Sequence, residues 1–511
     1  MNAREQWGTR AGFILAAIGS AVGLGNIWRF PYVAYENGGG AFFLPYLFAL
    51  LTAGIPLLIM EFTLGHKYRG SAPLSYARFT KKAEWIGWWQ VAISFVIATY
   101  YAVIIAWAIS YTFFAFNQSW GEDTGGFLMG EYLQRVDIVS GGAPGDFGSL
   151  VPGVLIPLIV VWIITLGVLF KGVKRGIEVA NRIFIPLLVV MFLLIVIRAV
   201  TLEGALDGLN AFFRPDWAEI MSPGVWVAAY GQIFFSLSIA FAIMITYSSY
   251  LPKKADINNN AFITGFSNSS FELLAGIGVF AALGFMASAS GTTVADVADA
   301  GIGLAFVVFP EIINTFPGFN GFFGVLFFGS LVLAGLSSLI SIVETFISGL
   351  QDKFQISRAK AVAFGGGLSA LISLLYATQG GLFFLDAADY FINQFGVALA
   401  GLVSVIAVAW FVKGLPTLQN HANGVSDFRT GAWWKVCLGV ITPFVLGYMF
   451  IQNTVINLTS NYEDYPTSFL LVSGWGVALG AIIVGFILAA FKWKKSALEL
   501  PAEQSEKGVD Q

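Results

Sequence analysis

Apolar runs about 18 to 25 residues long recur down this chain, starting near Phe13, Ala41, Val91, Val151, Ile183, Val225, Phe271, Gly321, Ala361, Phe395, Val436 and Ser468. A run of that length crosses the hydrocarbon core of a bilayer as a helix, which satisfies its own backbone polar groups where no water is present to do so. The chain is therefore expected to be an all-α polytopic membrane protein with about twelve transmembrane helices. Composition agrees: 57% of the 511 residues are hydrophobic and 11% are charged, with a mean hydropathy of +0.76. A water-soluble globular domain is excluded on those figures. The runs near Ala361 and Val436 are the least regular, being short and interrupted by glycine or proline.

Lysine and arginine fall on alternate loops. One set comprises Arg4 and Arg10, Lys67 to Lys82, Lys171 to Arg175, Lys253 and Lys254, Lys353 to Lys360, Lys413, and Lys492 to Lys495. The intervening loops are mostly acidic, as in Glu122, Asp123, Asp137, Glu463 and Asp464. Because basic loops stay on the cytoplasmic side, both termini are expected there, in a cell inner (plasma) membrane protein with an even number of spans. The first span has no cleavage motif before or after it, so a removable signal peptide is not expected. One cysteine (Cys437) and two histidines (His66 and His421) make no metal or redox centre. No enzyme is expected, since Glu61 and Glu344 alone are a thin basis for acid–base chemistry. No organic cofactor and no nucleic acid partner is expected. Residues 496–511 read as a disordered cytoplasmic tail.

Residues 19–31, GSAVGLGNIWRFP, put three glycines, Asn26 and Arg29 inside the first span. Glycine costs roughly 1 kcal/mol relative to alanine in a helix interior, and non-helical backbone survives at membrane depth only where it lines a cavity or binds something. Close helix packing is the competing reading of the glycines. In the sixth span, GQIFFSLSIAFAIMITY carries Ser236 and Ser238 at mid-depth. Irregular segments at corresponding places in two halves point to a transport site on an inverted repeat. Span eight adds Ser337 and Ser338, and span seven opens with Asn268 and carries Glu272 one turn later. Hydroxyl, carboxamide and carbonyl oxygens suit a hard cation, and half-helix N-termini attract a carboxylate. Intramembrane charges are functional candidates by default. Arg29 and Asp389 are placed to close a salt bridge over the cavity, Arg4 and Asp352 to pair beneath it, and Glu61 and Glu344 read as structural ion pairs or as lying near the interface.

Four stretches in order, REQWGTRAGFILAAIGSAVGLGNIWRFP, ENGGGAFFLPY, GQIFFSLSIAFAIMITYSSY and AGLSSLISIVETFISGLQDKF, resemble bacterial neurotransmitter:sodium symporters of the LeuT type over roughly residues 4–452. The resemblance implies a 5+5 inverted repeat with discontinuous helices one and six: residues 1–202 as the first repeat, 203–413 as the second, and 414–495 as accessory helices eleven and twelve. It implies one sodium held by the Ala21 carbonyl, Asn26, Ser236, Asn268 and the substrate carboxylate. A second would be held by carbonyls of Gly19, Val22 and Ala334 and hydroxyls of Ser337 and Ser338. The substrate carboxylate would meet the amides of Leu24 and Gly25 and the hydroxyl of Tyr101. The ammonium would face carbonyls of Ala21, Phe235 and Ser236, and the side chain would lie among Ile97, Phe235, Ser238, Phe241, Ser338 and Ile342. Arg29 with Asp389, and Arg4 with Asp352 under Trp7, match the family's outer and inner gates.

Within that resemblance, monoamine carriers have aspartate where this chain has Gly23, and chloride-dependent members have serine where it has Glu272. The expected function is therefore chloride-independent, sodium-coupled import of a neutral, hydrophobic L-amino acid by alternating access, with two Na⁺ per substrate. The alternatives are a sodium-gated amino acid sensor or channel, or an osmolyte or amine carrier of the same family. The expected partners are the amino acid, Na⁺ and the lipid bilayer. Gly476 and Gly480 form a small-residue step that would suit a homodimer.

Overall fold

The computed structural model describes residues 5–499. Among them, ten helices are long and apolar enough to cross a membrane. Spans two to five are Gly40–Tyr68, Lys81–Phe114, Pro152–Phe170 and Val173–Val200. Spans seven to twelve are Ile257–Ser290, Asn320–Phe354, Arg358–Ala377, Gly381–Phe411, Ala432–Asp464 and Thr467–Ala490. Span one is a pair, Arg10–Ala21 and Leu24–Glu36, bent by 56°. Span six is likewise in two pieces, Pro223–Ser236 and Ile243–Ser248. Together these give the expected number, and the two irregular runs form helices of 20 and 33 residues.

Spans three and eight form the centre. Protein shields 78% of the most apolar stretch of each, against 33% for spans four, five, nine and twelve. The outer spans leave Ile163, Ile183, Leu371 and Val472 bare, side chains that are stable in such numbers only against lipid. The protein is a multi-pass membrane protein.

The two breaks have different local causes. In span one, Val22 and Gly23 are extended, and the Asn26 carboxamide oxygen accepts the Gly23 amide at 2.8 Å, so the second half-helix starts on its own cap. In span six, Ser238, Ala240 and Ala242 are left-handed, with φ of 52°, 66° and 62°, each costing roughly 1–2 kcal/mol for a residue with a side chain. Hydrogen bonds from outside the span hold them there. The Glu61 carboxylate accepts the Ala240 amide at 2.8 Å, Ser94 donates to the Phe241 carbonyl at 2.6 Å, and Ser238 donates to the Ser20 carbonyl at 2.9 Å. The last bond joins one break to the other.

Asn268 does not open span seven. That helix begins at Ile257, where Asp256 caps the Asn259 amide at 2.9 Å, which places Asn268 about three turns inside. Of the expected tail, only residues 496–499 are described. Lys495–Leu498 is a short helix, and Arg78 donates to the carbonyls of Ala497 and Glu499 at 2.6 and 2.9 Å. Residues 500–511 lie outside the described residues.

Candidate functional site

Two oxygen clusters form where the breaks meet spans seven and eight. In the first, Asn26 Nδ2 donates to Asn268 Oδ1 at 2.8 Å and Asn268 Nδ2 donates to Ser236 Oγ at 3.0 Å. All three are buried, as is Ala21, the last residue before the break. In the second, the Gly19 carbonyl accepts Ser337 Oγ at 2.8 Å and Ser338 Oγ at 3.3 Å, and Ser337 also reaches the Ala334 carbonyl at 2.9 Å. Val22 follows as the C-cap of the first half-helix, extended, so its carbonyl is released from helical bonding. Both donor sets are neutral oxygens without a fixed charge, the chemistry of a monovalent hard cation rather than of a transition metal. No group of three or more His, Cys, Asp or Glu able to hold a metal is found among the described residues.

Between the clusters, Tyr101 OH lies 3.4 Å from the Leu24 amide that starts the second half-helix. Leu24, Ile97, Ser238, Phe241, Ser338 and Ile342 are buried, whereas Gly25, Tyr101 and Phe235 are partly open. Glycine is needed at 25 for close approach: a Cβ there would lie 2.7 Å from Phe235 Cε1. At Gly23 it would lie 3.1 Å from Tyr101 OH and 3.2 Å from Ser338 Oγ. The surroundings combine half-helix amides, a phenol and apolar walls, the makings of a pocket with a polar end and an apolar side.

On the side away from the basic loops, the Arg29 guanidinium stands 4.8 Å from the centre of the Phe235 ring. Asp389 accepts from Tyr100 OH at 2.7 Å and from Asn393 at 2.9 Å. Arg29 and Asp389 feel each other electrostatically, but the ion pair between them is not formed in this structure. At the basic end, Trp7 is 6% exposed. Its indole donates to the Tyr247 carbonyl at 2.8 Å and its amide to the Tyr250 carbonyl at 3.1 Å. Asp352 accepts the Ser71 amide at 2.7 Å. Arg4, the expected partner of Asp352, lies outside the described residues.

The buried carboxylates separate by role. Glu272 is fully buried and accepts from Tyr46 and, at 2.7 Å, from Gln232. Glu344 is a structural pair, held by Arg358 at 2.7 and 3.0 Å and by Tyr250 OH at 2.7 Å. Glu61 has no ion-pair partner among the described residues: it is 2% exposed and serves the break of span six. Tyr46, Gln232 and Ser20 complete these networks although nothing in the sequence singles them out. Their hydrogen-bonding side chains, or in Ser20 a backbone carbonyl, gain meaning only from neighbours distant in the chain. The two histidines also meet, with His66 Nδ1 2.9 Å from His421 Nε2 and His66 Nε2 2.9 Å from the Pro252 carbonyl.

Among known families, the profile of the Sodium:neurotransmitter symporter family matches residues 4–129 and 132–496. The chain belongs to the sodium:neurotransmitter symporter family. An uncharacterized sodium-dependent transporter of Methanocaldococcus jannaschii is 41% identical over 489 residues, 96% of this chain and 98% of the relative. The sodium-dependent dopamine transporter of Caenorhabditis elegans is 31% identical, covering 91% of this chain and 83% of its own length. Among solved structures, MhsT in complex with L-phenylalanine superposes with a TM-score of 0.74 at 32% identity, over 88% of this chain and 99% of that one. As a member of this family, the protein is a sodium-dependent transporter.

Proposed function

We propose that this symporter couples two sodium ions to the inward movement of one neutral, hydrophobic L-amino acid. The observation that carries the reading is the meeting of two neutral oxygen clusters with the amides that open the second half-helix, Leu24 donating weakly to Tyr101 OH and Gly25 next to it. One sodium lies among Ala21, Asn26, Ser236 and Asn268 and shares the substrate carboxylate. The other lies among Gly19, Val22, Ala334, Ser337 and Ser338. Ile97, Phe235, Phe241 and Ile342 form the side-chain wall, and a substrate that brings its own carboxylate replaces the acid that Gly23 lacks. The neighbour bound to L-phenylalanine supports an amino acid; the dopamine carrier among the relatives favours an amine, for which the site offers no fixed anion at Gly23.

The two broken helices and their partners form inverted repeats over residues 1–202 and 203–413. Arg29 with Asp389 and Phe235 close the outer side, and Trp7 with Asp352 closes the inner side. The basic end is cytoplasmic in the plasma membrane. Two charges moving with a zwitterion release roughly 4.6 kcal/mol at about 100 mV, enough for about a thousandfold accumulation.

The test is uptake of radiolabelled L-leucine and L-phenylalanine into vesicles holding the purified protein. Accumulation above the outside concentration under an inward Na⁺ gradient, and none when K⁺ replaces Na⁺, is the expected result. Equilibration without accumulation would make the protein a channel or sensor instead.

A further inference from the structure

Span five brings to the second oxygen cluster a buried group with no role in the reading above. Asn181 is fully buried. Its Nδ2 donates to the Ile177 carbonyl, one turn back, at 2.9 Å. That bond sets the orientation of the carboxamide, because a flipped amide would face one oxygen with another. Oδ1 is thereby committed to the opposite side, where no donor among the described residues meets it. There it lies against Gly19: a Cβ on Gly19 would sit 2.4 Å from Asn181 Oδ1 and 2.8 Å from Ile185 Cδ1. Span one can approach span five this closely only because residue 19 has no side chain.

A buried polar group without a partner is costly, so an orphan of this kind calls for a ligand. The chemistry of that ligand follows from its neighbours. The Gly19 carbonyl accepts both the Ser337 and the Ser338 hydroxyls, so the orphan oxygen stands beside a residue that already belongs to an oxygen cluster, where another acceptor is useful only to a cation. The charged neighbours of Asn181 on span five are already committed to each other and to span one. One turn toward the basic end, Glu178 accepts from the Gly8 amide at 2.6 Å and from Thr9 at 2.9 Å, and pairs with Arg182 at 2.7 Å.

We propose that Asn181 Oδ1 is a further oxygen of the second sodium site, contributed by span five and aimed at the cation from the side of Gly19. The proposal rests on reading the Gly19, Ala334, Ser337 and Ser338 cluster as a sodium site, and the test separates the two. Binding of radioactive sodium to the purified full-length protein is titrated at constant ionic strength for the wild type, Ser337→Ala, Asn181→Leu and Asn181→Asp. Asn181→Leu keeps the shape without the oxygen and should raise the half-saturating sodium concentration about fivefold or more. Asn181→Asp adds a negative charge to the same position and should lower it by a similar factor. A role in packing alone, or as a holder of water alone, would not give shifts of opposite sign. If Ser337→Ala leaves the titration unchanged, the sodium reading of the cluster fails. If Ser337→Ala shifts it while both Asn181 variants stay within about twofold of wild type, or weaken binding alike, the cluster stands and the Asn181 proposal is overturned. Should Asn181→Leu fail to fold, Asn181→Asp decides alone through the direction of its shift.

Discussion

Glu272 sits among donors, Tyr46 and Gln232, in a place closed to water. Those donors suit a negative partner, and on the proposed reading an ionised Glu272 would supply one where no chloride is bound. Replacing it with serine should leave them facing a neutral hydroxyl, so Glu272→Ser should lose about tenfold or more of its uptake in chloride-free medium and regain it when chloride is added. Wild-type uptake should be indifferent to chloride. Uptake by the variant that ignored chloride would remove the proposed role. At this scale the sequence was readable where a polar side chain interrupts an apolar run, as at Asn26, Ser236, Asn268, Ser337 and Ser338. It was unreadable where the proposed ligands are backbone carbonyls: nothing in the letters Ala21, Val22 or Ala334 marks such a role, and those residues entered only through the family resemblance. Asn181 gave no signal either, because what distinguishes it is the absence of a partner.

The two interrupted spans show the same contrast between elements. The first break was legible in Gly19, Gly23 and Gly25, since three glycines this close together weaken a helix that hydrocarbon otherwise enforces. The second is made by residues with side chains held left-handed at Ser238, Ala240 and Ala242, and its cause lies elsewhere, in Glu61 of span two. Glu61 read from the sequence as a structural ion pair or a charge near an interface because its partner is a backbone amide 179 residues away. Removing the carboxylate should leave that amide unsatisfied in an apolar setting, at about 1–3 kcal/mol. Glu61→Ala should therefore lower the thermal unfolding midpoint in detergent clearly more than Glu61→Gln, whose carbonyl oxygen can still accept. Equal losses from the two variants would show that charge, not the hydrogen bond, is what the break requires.

Across the whole molecule, the basic end is held together by contacts between segments far apart in the chain. His421, in the helix Leu415–Val425 between spans ten and eleven, meets His66 at the end of span two. Burial, then Lys67 and Arg69, push the His421 imidazole down to about 4, whereas an unfolded histidine titrates near 6.5. The folded protein therefore keeps His421 neutral at a pH where the unfolded chain takes up a proton. The stability this contributes is complete above about 6.5 and is lost as pH falls toward about 4. On going from pH 7.5 to 5, the wild type should lose about 1–2 °C more in unfolding midpoint than His421→Gln. Parallel losses would show that this histidine carries no such linkage.

The bond from Ser238 to the Ser20 carbonyl has a mechanical meaning. The two gaps that leave amides and carbonyls free are tied to each other at mid-membrane, so neither rod can flex there without tugging on its counterpart. On the proposed reading, a guest or an ion that settles in one gap would be felt in the other through a single hydroxyl, a short mechanical route by which the two broken spans would keep step.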